Sequence, residues 1–365
     1  MRYVPVYNIR ENMVLGRNLY GKSGELLLSV GTCIRQNGIE KLKYLGYCGI
    51  YVEDGISKDI VIREVVPDPL RRRLINETRD IFGICQKKIG TFQMQKLLEE
   101  KLHGSTKNIL LELINTISEN RNMVLDLVDL KIYDEYVIYH SVNVCSLSLM
   151  LGERIGLDRE MLYKLALAGL LHDIGRVFLG KDLFNKMDKL TTEEMNLMKQ
   201  HSQLSFRFIK DLYGMTIHTN LGILQHHERL NGSGYPGGDK GDKITLFGRI
   251  LGVADAYDAL TSDRPYRNAM IPMEAIKTLL SGAGSLYDEH LVKELGEKIG
   301  HYPVGMCVEL DNGVKGIVIE NRMGAMDRPA LRILGVESSE EWPVNIDLSR
   351  DRDYAERWIK GLAEA

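Results

Sequence analysis

Two adjacent pairs of metal-ligating residue types, His172-Asp173 and His226-His227, each follow an apolar segment of this chain. The first closes Leu165-Ala166-Leu167-Ala168-Gly169-Leu170-Leu171, and the second comes just after Leu221-Gly222-Ile223-Leu224. Neighbours on a helix diverge by about 100°. Both members of such a pair can serve one site only by straddling it, as around a cluster of metal ions. Three further residues share the apolar setting. In a helix over about 135–151, His140 lies on the face of Val137, Val144 and Leu147. His201 lies with Leu197, Leu204 and Phe208, and Asp255 follows Leu251-Gly252-Val253-Ala254. An imidazole or carboxylate buried without a partner is costly, so each must be paired, hydrogen-bonded or metal-bound. Singly, each reads as a satisfied core histidine or a salt-bridged aspartate. Jointly, they suit imidazole-carboxylate coordination of iron, manganese or similar ions.

The elements that must position them are helical. Apolar residues at three-to-four spacing and few glycines predict helices over 70–120. The helical pattern dominates again over 121–300. Thr191-Thr192-Glu193-Glu194 is a capping box predicted to open a helix running to about Asp211. Pro272 suits the first turn of another. Arg71-Arg72-Arg73 lacks nearby aromatics in sequence and reads as a solvated helix start rather than a phosphate patch. The chain's ends read as β-structure. Gly21–Gly24 is a turn before Leu26-Leu27-Leu28, and Gly49-Ile50-Tyr51-Val52 is a strand. Pro67-Asp68-Pro69 marks a boundary. Asp311-Asn312-Gly313 between Val308-Glu309-Leu310 and Gly316-Ile317-Val318-Ile319 is a hairpin signature.

His172-Asp173-Ile174-Gly175 resembles the HD motif of the HD phosphohydrolase superfamily. His226-His227-Glu228-Arg229-Leu230-Asn231-Gly232-Ser233-Gly234-Tyr235-Pro236 resembles the signature of its HD-GYP branch. The likeness extends from His140-Ser141-Val142-Asn143-Val144 through Lys189-Leu190-Thr191, Met198-Lys199-Gln200-His201 and the string from Val253 to Arg267. It implies a mainly α fold: an all-helical HD-GYP domain with a small β-rich N-terminal module and a small β C-terminal appendage. The divisions expected are 1–66 for the N-terminal module, 67–120 for a helical connector, 121–300 for the catalytic domain, and 301–365 for the appendage and tail.

The resemblance implies degradation of the bacterial second messenger cyclic di-GMP by two divalent transition-metal ions, iron in the first place and manganese as the alternative. One ion would be held by His140, His172, Asp173 and Asp255. The other would be held by His201, His226 and His227, with Asp173 bridging. Two cations can activate a water between them and stabilise both oxygens of an in-line displacement. Hydroxide so held would open the ring to linear pGpG, with GMP a further product; His172 and Asp173 carry the catalytic role. Arg176, Arg264 and Arg267 would hold phosphate oxygens through planar guanidinium forks. Tyr235 would line the guanine pocket or orient its loop. By composition alone, Asp263-Arg264-Pro265-Tyr266-Arg267 reads as a polar surface turn.

Two departures stand out. The family's lysine after the HD motif is Arg176 here, which keeps charge but changes reach. A glutamate that helps some members bind a third ion is replaced by Tyr136, with Glu135 one residue off. Two ions and a pGpG product are therefore expected. A catalytically weak cyclic di-GMP receptor, and a hydrolase of another cyclic dinucleotide, are the alternatives.

The 365 residues are 44% hydrophobic and 27% charged, with a formal net charge of -3, so no bulk attraction to DNA or RNA polymers or to acidic membranes is expected. Apolar runs stay short of the roughly 18 residues of a membrane span, and Met1–Pro5 shows no secretory pattern. Five cysteines without paired spacing fit a reduced, cytoplasmic protein. The helices at 70–120 are expected to support a homodimer.

Overall fold

In a computed structural model, the middle of the chain is helical and both ends form small sheets. The structure describes residues 1–21, 25–45, 47, 49–87, 90–125, 136–180, 183, 191–262, 269–335 and 343–363. Arg264, Arg267, Glu135, Lys189 and Leu190 lie outside the described residues.

The N-terminal part holds β1 (Arg2–Pro5), β2 (Val14–Leu15), β3 (Leu19–Tyr20), β4 (Leu26–Leu28), α1 (Gln36–Tyr44) and β5 (Gly49–Glu53). β5 is the centre of a three-stranded antiparallel sheet, in the order β1-β5-β2. The sequence reading of this part as strands and turns missed α1. That helix buries only Ile39 and Leu42 and opens on Gln36-Asn37-Gly38, so it carries little periodic signal.

The expected helical stretch at 70–120 resolves into α2 (Asp68–Cys85), α3 (Thr91–Lys101) and α4 (Lys107–Glu119). Pro69 occupies the first turn of α2, where its missing N–H costs no helical bond. The site-bearing helices follow: α5 (Tyr136–Arg154), α6 (Arg159–Leu171), α7 (Thr192–Met198), α8 (His201–Ile209), α9 (Ile217–Gln225) and α10 (Leu246–Leu260). α11 (Pro272–Ser281) and α12 (Glu289–Lys298) complete the layer. Side-chain caps fix several starts: Asp158 accepts from Met161 N at 2.8 Å, and Thr245 accepts from Gly248 N at 3.2 Å.

The Thr191 capping box is present, with Glu194 reaching back to Thr191 N at 2.7 Å. The helix it opens ends at Met198 rather than running to Asp211. A break at Lys199-Gln200 starts α8 afresh at His201, and Leu197 is left 48% exposed instead of sharing a buried face with His201. The break lets α8 approach the short 3-10 turn Ile174–Phe178, where Ser205 Oγ accepts from Gly175 N at 2.8 Å and donates to His172 O at 2.7 Å.

One continuous core unites α2, α4, α5, α6 and α8–α12. Leu165, Leu170, Ile223, Leu251 and Val253 are fully buried, each leucine contributing about 2 kcal/mol. α5 and α6 pack backbone to backbone at Gly169, where a Cβ would lie 2.7 Å from Cys145 Cα. Gly169→Ala is therefore expected to cost about 2 kcal/mol by overpacking, read as a lower urea midpoint. An unchanged midpoint would show that the helices separate freely.

The C-terminal sheet has the order β10-β6-β7-β8-β9 and contains the expected hairpin. β6 (Cys307–Leu310) pairs with β7 (Lys315–Glu320) in the register Val308↔Gly316, with Gly313 at φ 83° in the turn. β8 (Ala330–Ile333), β9 (Asn345–Asp347) and β10 (Ile359–Leu362) complete it. This sheet shares a core with the N-terminal part: Tyr51, Ile60 and Ile62 pack with Tyr302, Val304, Val308 and Ile333. Tyr3 N donates to Gly305 O at 2.9 Å, and Arg332 forms a two-pronged pair with Asp59 at 2.6 and 2.8 Å.

Candidate metal centre

Five helices deliver their ligand-type residues to one buried point. His140 comes from α5 and Asp255 from α10. His172-Asp173 and His226-His227 follow the last turns of α6 and α9, and His201 opens α8. A residue just past a helix end is released from the helical direction, which is how adjacent residues turn to one place. His140, His172, Asp173, His201 and His226 are fully buried.

The ring orientations are fixed from outside. His172 Nδ1 lies 2.8 Å from Gly169 O, His201 Nδ1 2.6 Å from Met198 O, and His226 Nδ1 2.6 Å from Ile223 O. A carbonyl can only accept, so each Nδ1 carries the proton and each Nε2 presents a lone pair inward. His140 Nδ1 is held at 2.7 Å by Asp258 Oδ2, with the same result.

The inward atoms then face each other. His140 Nε2 and His172 Nε2 are 3.3 Å apart, and His201 Nε2 and His226 Nε2 are 3.2 Å apart. His140 Nε2 is 3.0 Å from Asp255 Oδ1, and His201 Nε2 is 3.3 Å from Asp173 Oδ1. Asp173 brings two buried oxygens to this point, its Oδ1 2.7 Å from Arg176 Nε, and His227 Nε2 is buried without a hydrogen-bond partner. Lone pairs packed this closely repel unless cations lie among them. The donor set falls into His140, His172 and Asp255 on one side and His201, His226 and His227 on the other, with Asp173 beside His172 and His226. Imidazole nitrogen with carboxylate oxygen is a donor set for divalent transition metals.

Electrostatics agree with that use. Burial alone would raise the Asp173 carboxyl, but Arg176 and the surrounding imidazoles hold it well below its usual range. Burial depresses His226 and His227 well below theirs, helped by neighbouring imidazoles, and lowers His201 to about 4. His140 goes the other way: burial lowers it, yet Asp255 and Asp258 together raise it.

A pH prediction follows for metal-stripped protein. An unfolded histidine takes up a proton near its ordinary value of 6.5, whereas folded His201, His226 and His227 resist protonation. Their stabilisation is present above that value and is lost as pH falls toward 4. His140, with its raised value, opposes them alone. The urea midpoint of chelator-treated protein should therefore fall between pH 7 and pH 5. A flat or rising midpoint would contradict the neutral-imidazole assignment.

Around the cluster, the substrate-side residues divide. Tyr235 stands over the second histidine group, with ring centroids 4.6 Å from His227 and 6.3 Å from His201. Arg176 does not point to open space: its Nε lies 2.7 Å from Asp173 Oδ1. Tyr136, in place of a carboxylate, stacks on His140 at 5.1 Å and 14°. His218, also on α9, is exposed and lies against Phe247.

Sequence reasoning overlooked three supports. Asp258 orients His140, and Asn143 Nδ2 donates to Asp258 Oδ1 at 2.7 Å. Both lie three residues beyond a proposed ligand, so helical spacing was the available signal. Glu228 is buried and accepts from Gly237 N, Gly238 N and Asp239 N at 2.6, 3.1 and 3.1 Å. It gathers the loop that carries Tyr235. Gly234 belongs to the same closure, because a Cβ there would collide with the backbone of His227, Glu228 and Arg229.

Residues 121–291 match the HD domain family. A cyclic di-GMP phosphodiesterase of Pseudomonas aeruginosa is 32% identical over 271 residues, covering 73% of this chain and 65% of that protein. A cyclic di-GMP phosphodiesterase of Thermotoga maritima is 31% identical over 247 residues, covering 66% of this chain and 64% of that one. A 3'3'-cGAMP-specific phosphodiesterase of Vibrio cholerae is 36% identical over 148 residues, covering 40% of this chain and 34% of its own length. The match thus spans just under two thirds of the two cyclic di-GMP relatives. Residues 121–291 thus form an HD domain, with both the paired HD residues and the GYP loop in place.

Proposed function

We propose that this protein is a metal-dependent phosphodiesterase that opens cyclic di-GMP to linear pGpG. The observation that carries the reading is the convergence of four imidazole Nε2 atoms and the Asp173 carboxylate on one buried point. Two divalent ions, iron or manganese, would supply a nucleophile from water at neutral pH and stabilise charge on the phosphoryl oxygens.

The chain's own residues divide the remaining work. His140, His172 and Asp255 hold one ion, His201, His226 and His227 the other, and Asp173 serves both. Asp258 fixes the tautomer and direction of His140. Tyr235 walls the guanine side, and Glu228 holds its loop in place. Arg264 and Arg267 bind phosphate oxygens. We assign residues 121–300 to catalysis, and 1–66, 67–120 and 301–365 to flanking modules, with helices of 67–120 supporting self-association.

A second reading has its own observation. Arg176 is spent on Asp173 at 2.7 Å, so the cation expected on substrate phosphate instead competes with metal for the central carboxylate. That favours slow turnover, as in a nucleotide receptor. Incubation of manganese- or iron-loaded protein with cyclic di-GMP and with 3'3'-cGAMP, followed by separation of products, decides. Release of pGpG from cyclic di-GMP supports the enzyme. Tight binding without turnover in every metal supports the receptor, and preference for 3'3'-cGAMP overturns the substrate assignment.

A further inference from the structure

A second cleft lies between the N-terminal sheet region and α2, with a volume of about 500 Å³. That size suits a small organic ligand. Its cationic lining is Arg17, Arg71 and Arg72, of which Arg17 pairs with Glu64 and Arg72 with Asp68 at 3.2 Å. Tyr20, Tyr47 and Tyr139 contribute aromatic walls, and Arg72 stacks its guanidinium 4.3 Å over the Tyr20 ring. The sequence expectation of a solvated arginine run holds only for Arg73, which is exposed and pairs with Glu112. Arg71 and Arg72 are half-buried, and the aromatics missing from their sequence neighbourhood arrive through the fold.

Arg71 connects this cleft to the metal centre. Its Nη2 donates to Asn143 Oδ1 at 3.2 Å. Asn143 Nδ2 donates to Asp258 Oδ1 at 2.7 Å, and Asp258 Oδ2 holds His140 Nδ1 at 2.7 Å. Two ligand-relevant places are therefore joined by three hydrogen bonds. Tyr139 reinforces the link, since it lines the cleft and immediately precedes His140.

We propose that this cleft binds a nucleoside monophosphate and that its occupancy loosens the His140 end of the metal centre. Arginine forks take a phosphate in two-pronged fashion, and a planar base stacks between tyrosine and guanidinium faces. A phosphate that takes Arg17 and Arg72 from Glu64 and Asp68 frees those carboxylates to accept from ribose hydroxyls or a base amine. A phosphate that draws Arg71 toward itself releases the Asn143 amide, and with it the Asp258 carboxylate that aims His140. Outer partners of a metal-ligating histidine typically govern affinity by about 10- to 100-fold. Coupling is reciprocal, so metal loading weakens nucleotide binding by the same factor.

The cleft assignment does not rest on the proposed reaction, and its test can be read without turnover. AMP and GMP are titrated calorimetrically into the full chain, into Asp173→Ala and into Arg72→Gln. Arg72→Gln removes the guanidinium over Tyr20 while keeping the three-carbon stem, and its melting curve shows whether it has folded. Expected is one site per chain that survives Asp173→Ala and weakens at least about tenfold in Arg72→Gln. Should Arg72→Gln not fold, Arg17→Gln takes its place under the same expectation. Loss of binding in Asp173→Ala, equal binding to the arginine variant, or no binding at about 1 mM overturns the site.

For the coupling, the Mn²⁺ dissociation constant is measured at buffered free metal with and without saturating AMP. A weakening of about fivefold or more, absent in Asn143→Ala, supports it. An unchanged constant, or the same change in Asn143→Ala, overturns it.

Discussion

Asp173→Asn should lower cyclic di-GMP turnover about a thousandfold or more and strip metal from the protein in the same step. Asp173 stands between the two histidine groups, with Oδ2 3.4 Å from His172 Nε2 and Oδ1 3.3 Å from His201 Nε2. An amide in its place offers one neutral oxygen where two anionic ones faced the cluster. The charge that offsets the ions is lost, and the NH₂ group turns a donor toward nitrogen lone pairs or cations. Several kcal/mol of transition-state stabilisation correspond to about three orders of magnitude in rate. Asp258→Asn should be graded beneath it, at about 10- to 100-fold, because it only aims His140. Elemental analysis and product separation on the same samples check both. Asp173→Asn with normal metal content and normal turnover would remove the metal centre from the reaction.

Glu228→Ala should act on a different quantity. Three backbone N–H groups of Gly237, Gly238 and Asp239 lose their shared acceptor. Part of the loop is solvent-accessible, so water recovers some of the loss, and about 2 kcal/mol of stability should disappear. The Tyr235 ring loses its anchorage above His227. Substrate capture should then weaken about tenfold or more in kcat/KM, while metal content is retained. Amide hydrogen exchange across 231–240 should accelerate in parallel. Retained protection in that segment would show that the loop is held by something other than Glu228.

How much of this was legible in the sequence depended on where the physics is local. His172-Asp173 and His226-His227 announced themselves, because a polar pair directly after an apolar segment is carried into the interior and must find partners there. His140 and Asp255 were distinguished from ordinary core polar groups only by the resemblance, since their partners arrive from distant helices. The Thr191 capping box is a three-residue effect and marked a true helix start. The break at Lys199-Gln200 answers to packing of α8 on Gly175 and left no local mark. Arg71 shows the same limit more sharply. Its character comes from Asn143, 72 residues away, and from the tyrosines that the N-terminal part brings over it. Arg176 was legible as a cation beside the motif, but not as one turned back onto Asp173.

The joint core of the two terminal sheets bears on how the chain assembles. Arg332 and Asp59, paired in the finished structure, are 273 residues apart in sequence. Loop-closure entropy rises by only about 0.6 kcal/mol per doubling of length, so the span costs little at equilibrium. Kinetically it weighs far more, because contacts this distant slow folding. The helical middle, dominated by nearer contacts, should become native first, with the two ends clasping over it in a later phase. Trimming either end to isolate the helical layer would leave the other with an uncovered apolar face. Tyr302, Val308 and Ile333 on one side, or Tyr51, Ile60 and Ile62 on the other, would then become an aggregation surface.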